Sequence, residues 1–176
     1  MLDHDATIEQ VVLLDESDEP IGVAAKREVH GSATPLHRAF SAYVFDDTGR
    51  LLATRRALGK QAWAGVWTPS CCGHPGPGEP LEDAVRRRLQ EELGMVTSSI
   101  RLVLPDYGYI AVSPEWIVEN EFCPVFMCRA DAEPVLVPTE VIEYQWVPWR
   151  DFQAMARSTP WALSPGAVEQ TALMGD

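Results

Sequence analysis

Apolar positions along the chain come mostly in short runs bounded by turn residues, a pattern that predicts strands. Gln10–Asp15 reads as one strand and Ile21–Ala25 as a second, joined by an acidic turn that ends at Pro20. His30 and His37 follow in a Gly/Ser/Thr/Pro stretch with neither period, which predicts an extended loop. Arg38–Phe45 and Leu51–Arg55 predict a hairpin closed by Asp46-Asp47-Thr48-Gly49. Between Trp67 and Glu79 three glycines and three prolines predict a tight backbone path instead of a regular element. The period then changes. Over about Pro80–Leu93, Leu81, Val85 and Leu89 fall on one helical stripe, with proline in the first turn and Gly94 as the stop.

Arg88 and Glu92 fall on the inward side of that helix, whereas Glu82, Asp83, Arg86 and Gln90 point away. Charge on a buried side is costly unless it is paired or binds something. A plain i,i+4 salt bridge between Arg88 and Glu92 is the simplest alternative. Further on, Arg101–Ala111 predicts a strand or hairpin arm carrying Tyr107 and Tyr109. Ile117–Arg129 predicts one long strand with Glu119, Glu121 and Cys123 on one face. After a connection over Glu133–Pro138 come a strand, Ile142–Val147, and a helix, Pro148–Arg157. Ser164-Pro165 is a cap-and-first-turn signal for a closing helix.

The 176 residues, 46% hydrophobic, are enough for a single domain over residues 1–176 with one sizeable core. A net charge of −12 argues against nucleic acid or an anionic membrane as partner. Its distribution adds more. Seven acidic side chains and no Lys or Arg occupy the first twenty residues, a segment that could serve as a lid, and His4 reads as a frayed-terminus residue. The only lysines are Lys26 and Lys60, while Arg55, Arg56 and Arg86 to Arg88 form two basic clusters. That concentration suits a pocket for a small anion, with Arg86 and Arg87 read as ordinary solvated charge. No apolar run approaches the ~18 residues a membrane span needs. The start lacks a secretory pattern, and the four cysteines lack CxxC spacing, so reduced thiols in a cytoplasm are expected. Cys71, Cys123 and Cys128 read as small core residues.

His30, His37 and His74 lie in loops, and Glu119 and Glu121 project from one strand face, so both glutamates can reach a single cation, giving three imidazoles and one or two carboxylates. Such a set suits Zn²⁺, Mn²⁺ or Fe²⁺. The segment from Gly73 through Glu79 to Arg87-Arg88-Leu89-Gln90-Glu91-Glu92-Leu93-Gly94 resembles the Nudix signature, whose glutamates face a metal-bound diphosphate. Hydrolases of that superfamily carry Arg-Glu where this chain has Arg87-Arg88, so a carboxylate used in hydrolysis is replaced by a cation. A hydrolase of nucleoside-diphosphate derivatives is the alternative reading that this departure disfavours.

Lys26, His30, His37, Thr54-Arg55-Arg56-Ala57-Leu58-Gly59-Lys60, Trp63-x-Gly65-Val66-Trp67-Thr68, Cys72-Gly73-His74-Pro75, Glu119-Asn120-Glu121 and Thr159-Pro160-Trp161 together make the chain similar to the type I isopentenyl-diphosphate delta-isomerases over about residues 8 to 170. The resemblance implies an α+β, Nudix-type fold of mixed β-sheets flanked by helices. It implies interconversion of isopentenyl and dimethylallyl diphosphates through a carbocation, in isoprenoid biosynthesis, on a small-molecule diphosphate and with no redox cofactor. Cys72 and Glu121 would be the opposed proton-transfer groups, with Tyr109 hydrogen-bonded to Glu121. His30, His37, His74, Glu119 and Glu121 would hold Mn²⁺ or Zn²⁺. Mg²⁺ would bridge Glu92 and the diphosphate, which Lys26, Arg56, Lys60 and Arg88 would neutralise. A monomer is the default expectation. One departure stands out: the family carries Trp two positions after the C-terminal Ser, where this chain has Ser164-Pro165-Gly166. Trp161 and Trp116 are the rings that could replace it, although Trp161 reads on general grounds as a packing aromatic.

Overall fold

Two sheets that share a corner organise the chain. In the computed structural model, residues 9–175 are described; His4 and the first part of the acidic N-terminal segment lie outside them. In chain order the elements are β1 (Gln10–Leu14), β2 (Pro20–Ala25), α1 (Lys26–Val29), β3 (His37–Arg38), β4 (Phe40–Phe45), β5 (Arg50–Arg56), β6 (Trp67–Pro69), β7 (Cys71–Gly73), α2 (Leu81–Leu93), β8 (Ile100–Leu104), β9 (Gly108–Val112), β10 (Val118–Phe122), β11 (Val125–Arg129), β12 (Val141–Pro148), α3 (Trp149–Ser158), a 3₁₀ turn (Pro160–Ala162) and α4 (Pro165–Met174). One sheet has five strands in the order β2-β1-β3-β10-β9. The other has seven, with β12-β5-β4-β11-β8 as its main path, β6 paired to β5 and β7 paired to β4. This is the expected α+β arrangement of mixed sheets flanked by helices.

The predicted strand over Ile117–Arg129 is in fact two, β10 in one sheet and β11 in the other. Pro124 has no N–H for a ladder and marks the bend. The chain at Ala39 bends beside it: Ala39 N–H donates to the Phe122 carbonyl (2.8 Å) and Ser41 N–H to that of Pro124 (3.1 Å). Both segments therefore leave one sheet and enter the other in parallel register, and the lack of a turn cluster hides the corner. Arg101–Ala111 divides likewise into β8 and β9, which lie in different sheets.

The hairpin of β4 and β5 closes through Asp46, as expected, but pairs only at Phe45 and Leu51 before its strands splay apart. Into the gap run β6 and β7, two short strands where the Gly/Pro content predicted none. Ser70 between them replaces a ladder bond to each side, because its Oγ donates to the Leu52 carbonyl and accepts from Val44 N–H, both at 2.8 Å. Register then sets Cys72 opposite Ser41.

Along β4, Phe40, Ala42 and Val44 face a core completed by Leu89 and Leu93 of α2, while Tyr43 faces the opposite core with Phe152 of α3 and Ala167 of α4. Helix α2 can approach β7 because residue 73 is glycine; a Cβ there would lie 2.9 Å from Arg88 Cγ and 3.1 Å from Phe40 Cζ. Gly94 ends α2 in the left-handed conformation (φ 59°) that glycine adopts without a Cβ penalty.

Candidate active site

Where the two sheets meet, a cavity of about 370 Å³ opens, within the size range of small-ligand sites. Its floor is set by strand register. On the five-stranded sheet Glu121 of β10 stands beside His37 of β3 on one side and Tyr109 of β9 on the other. From the seven-stranded sheet β7 presents Cys72, and His74 follows directly. Lys26 opens α1 and His30 follows it, Arg56 ends β5, Lys60 comes from the loop after it, and α2 contributes Arg88 and Glu92. Eleven of the twelve residues that motif reasoning assigned to the site line this cavity; the twelfth, His37, fully buried, sits behind it.

Four side chains form a metal-sized cluster. Ligand atoms of His30, His37, His74 and Glu121 all lie within 4.8 Å of one another. The tautomers of two imidazoles follow from their outer hydrogen bonds. His30 Nδ1 lies 3.1 Å from the Lys26 carbonyl and His37 Nδ1 lies 3.0 Å from that of Pro35. A carbonyl only accepts, so both Nδ1 atoms carry the proton and both Nε2 lone pairs face inward. His37 Nε2 then meets His74 Nε2 at 3.3 Å, and His74 Nε2 lies 3.2 Å from Glu121 Oε1. Converging lone pairs and a carboxylate suit a divalent cation. Glu121 is buried, and protonation of His37 or His74 would outweigh that cost by hydrogen bonds and charge, holding its carboxyl well below the usual range. Burial lowers His74 to about 4, against the pull of Glu121.

One expectation needs correction here. Tyr109 does not bond to Glu121; its hydroxyl donates to Glu119 Oε2 at 2.6 Å. Glu121 is turned toward the imidazoles, and the long tyrosine reaches diagonally across the strand pair. Glu119, so held, stands outside the four-residue cluster. Its carboxyl is raised, chiefly by burial and then by the Glu121 charge.

At the other end of the cavity three of the four cations have an acidic neighbour, while Arg56 donates to the Ala62 carbonyl at 3.0 Å. Lys26 pairs with Glu9 at 2.9 Å, Lys60 with Glu140, and Arg88 with Glu92 and, at 3.4 Å, Glu140. Glu140 went unnoticed in the sequence because nothing in its connecting segment marks it. Arg88 and Glu92 are 8% and 7% exposed, so the inward reading of α2 holds. Burial raises the Glu92 carboxyl even beside the guanidinium. Three N–H groups, Arg56 Nε, Arg88 Nε and Trp63 Nε1, are buried with no partner among the described residues. Unpaired buried donors are costly, and three around one cavity suit an anionic ligand. Cys72 is half-buried at the cavity wall, where desolvation pushes its thiol up to about 11 against a hydrogen bond with Ser41.

Arg87, expected to be solvated, instead clamps the loop. It meets Glu79 twice (2.8 and 2.9 Å) and donates to the His74 carbonyl at 3.1 Å, while Glu79 accepts from Gly76 N–H at 2.7 Å. Glu79→Gln is expected to lower stability by about 1–2 kcal/mol in urea denaturation, because a bidentate charged pair becomes a single neutral contact. Neither candidate replacement ring reaches the cavity: Trp161 is 81% and Trp116 79% exposed, so Trp161 is not a packing aromatic either. The rings that line the cavity are Trp63 and Tyr109, and a Cβ on Gly166 would lie 3.5 Å from Tyr109 Cζ. Trp63 holds a positive φ of 54°, a strained conformation for a bulky residue.

Residues 35–165 match the NUDIX domain. The chain is 52% identical over 168 residues to the isopentenyl-diphosphate Delta-isomerase of Mycolicibacterium vanbaalenii, covering 96% of this chain and 92% of that protein. It is 50% identical over 167 residues to the enzyme of the same name from Frankia alni, covering 95% and 86%. Among solved structures, a Deinococcus radiodurans protein superposes with a TM-score of 0.75 at 23% identity, covering 96% of this chain and all of the other (100%). A MutT protein from Methanosarcina mazei gives a TM-score of 0.62 at 24% identity, covering 80% of this chain and 93% of that one. These two likenesses bear on the fold.

Proposed function

We propose a function from the premise that this chain belongs to the isopentenyl-diphosphate Delta-isomerases of the Nudix superfamily: it interconverts isopentenyl diphosphate and dimethylallyl diphosphate. The observation that carries the reading is that Cys72 and Glu121 face one cavity from two different sheets, with a cationic end beside them. Moving a double bond by one position requires a proton delivered at one carbon and another removed two carbons away. An acid and a base mounted on separate walls can do both without water entering between.

Lys26, Arg56, Lys60 and Arg88 bind the diphosphate, which displaces the acidic partners of Lys26, Lys60 and Arg88 and satisfies the orphaned guanidinium donors. Desolvation at the cavity wall keeps the Cys72 thiol protonated at neutral pH, so it can act as a proton donor; the depressed Glu121 carboxyl is ionised and can accept. Tyr109 and Trp63 supply π faces near a developing tertiary cation. His30, His37, His74 and Glu121 would hold a divalent ion, Mn²⁺ or Zn²⁺, with Glu119 as a further carboxylate on the same wall; Glu92 would meet Mg²⁺ on the diphosphate. Bound there, the ions supply positive charge that fixes the diphosphate and tunes the neighbouring carboxylate.

A product assay on purified protein with isopentenyl diphosphate and divalent metal tests the reading. Dimethylallyl diphosphate without phosphate release is expected. Release of phosphate, or of nucleotide from nucleoside-diphosphate derivatives, would instead support the hydrolase reading that Arg88 disfavours.

A further inference from the structure

A buried polar chain runs from α4 to the Cys72 sulfur. Tyr43 hydroxyl donates to Gln170 Oε1 at 2.9 Å, and Gln170 Nε2 donates to Ser41 Oγ at 3.0 Å. Ser41 Oγ lies 3.5 Å from Cys72 Sγ and 3.5 Å from Cys123 Sγ. All three members are inaccessible: Tyr43 is 0%, Gln170 1% and Ser41 3% exposed. The amide of Gln170 occupies one lone pair on Ser41, which leaves the hydroxyl proton free to turn to a sulfur and the second lone pair free to accept an S–H. Two sulfurs are in reach. Cys72 borders the cavity, whereas Cys123 is buried in the core behind it. The placement is written into the backbone, since Ser41 and Cys72 are directly opposite each other in the β4–β7 ladder.

We propose that Ser41 is a positioning residue for the isomerisation, a hydroxyl locked by Gln170 that holds the Cys72 thiol toward the cavity and hydrogen-bonds its sulfur while the proton is away. This rests on the isomerase reading. In the transfer, the S–H bond breaks as a C–H bond forms at the terminal alkene carbon, and the sulfur keeps the electron pair. Glu121 takes a proton from the carbon two positions along, and the new double bond closes. The hydroxyl proton of Ser41 stays on its oxygen throughout. A donor already beside the sulfur stabilises the state in which that electron pair is bare, and it needs little reorientation at the moment of reaction.

The test uses the full chain with divalent metal, and steady-state conversion of isopentenyl diphosphate. Ser41→Ala is expected to lower kcat about tenfold to hundredfold, with KM within about twofold because the diphosphate is held elsewhere. Ser41→Thr, which keeps the hydroxyl, restores most of the loss. Gln170→Leu lowers kcat by freeing the Ser41 rotor, and the double variant is no slower than Ser41→Ala alone. Cys123→Ala keeps kcat. Unchanged kcat in Ser41→Ala, losses that multiply in the double variant, absence of rescue by threonine, or a Cys123→Ala loss equal to that of Ser41→Ala would each overturn the proposal. A parallel readout needs no turnover: alkylation of Cys72 by iodoacetamide, located by mass spectrometry, slows severalfold in Ser41→Ala, and an equal rate overturns the proposal. Failure of the wild-type chain to make dimethylallyl diphosphate counts against the isomerase reading; the alkylation result still decides the Ser41–Cys72 contact.

Discussion

Cys72→Ala is expected to lower kcat by about 10³-fold or more, in the upper part of the range for removing a positioned acid. KM for isopentenyl diphosphate should change little, because the four cations that hold the diphosphate are untouched. The fold should survive, since residue 72 sits at a cavity wall and its ladder bonds to Ser41 are made by the backbone. Steady-state kinetics beside a urea melt separates these effects. Full activity in Cys72→Ala would remove the thiol from the mechanism, whatever else the cavity does.

Glu121→Gln should cost at least as much, for two reasons that can be measured apart. The carboxylate is the base on the five-stranded sheet, and it is also the anionic member of the cluster with His30, His37 and His74. An amide is isosteric yet neutral, so turnover is expected to fall by about 10³-fold or more. Bound metal, read by elemental analysis after dialysis, should fall with it, because three neutral imidazoles are left without a compensating charge. Retained metal with lost turnover would assign Glu121 to proton transfer alone. Retained turnover would contradict both roles.

The helical period over α2 already places Arg88 and Glu92 on the buried side, and the structure finds them there, paired and facing the cavity. Periodicity suffices in that case because one helix face settles which residues are inward. The side-by-side projection of Glu119 and Glu121 is legible for the same kind of reason, as a period-two consequence of one strand. Which oxygen meets which partner is not legible. Tyr109 and Glu121 are register neighbours, but the imidazoles compete for Glu121 and leave Tyr109 to Glu119.

What alternation cannot show is a change of sheet. Residues 117–129 run through the corner at Pro124 without a turn cluster, while their partners change. The strands β6 and β7 are too short for any period and are held by Ser70, whose role depends on the splaying of β4 and β5. Glu140, Ser41 and Gln170 enter the site through tertiary contacts alone. Trp161 and Trp116 could be proposed as replacement rings only because sequence gives no direction to a side chain in a loop.

Incubating isopentenyl diphosphate with the metal-loaded protein in heavy water tests the central claim most directly, because it follows the two proton transfers and nothing else. Deuterium is expected in the new methyl group of dimethylallyl diphosphate, and in recovered isopentenyl diphosphate through the reverse reaction. Recovery of both the substrate and any product without deuterium, from protein shown to carry its metal, would contradict protonation and deprotonation by Cys72 and Glu121.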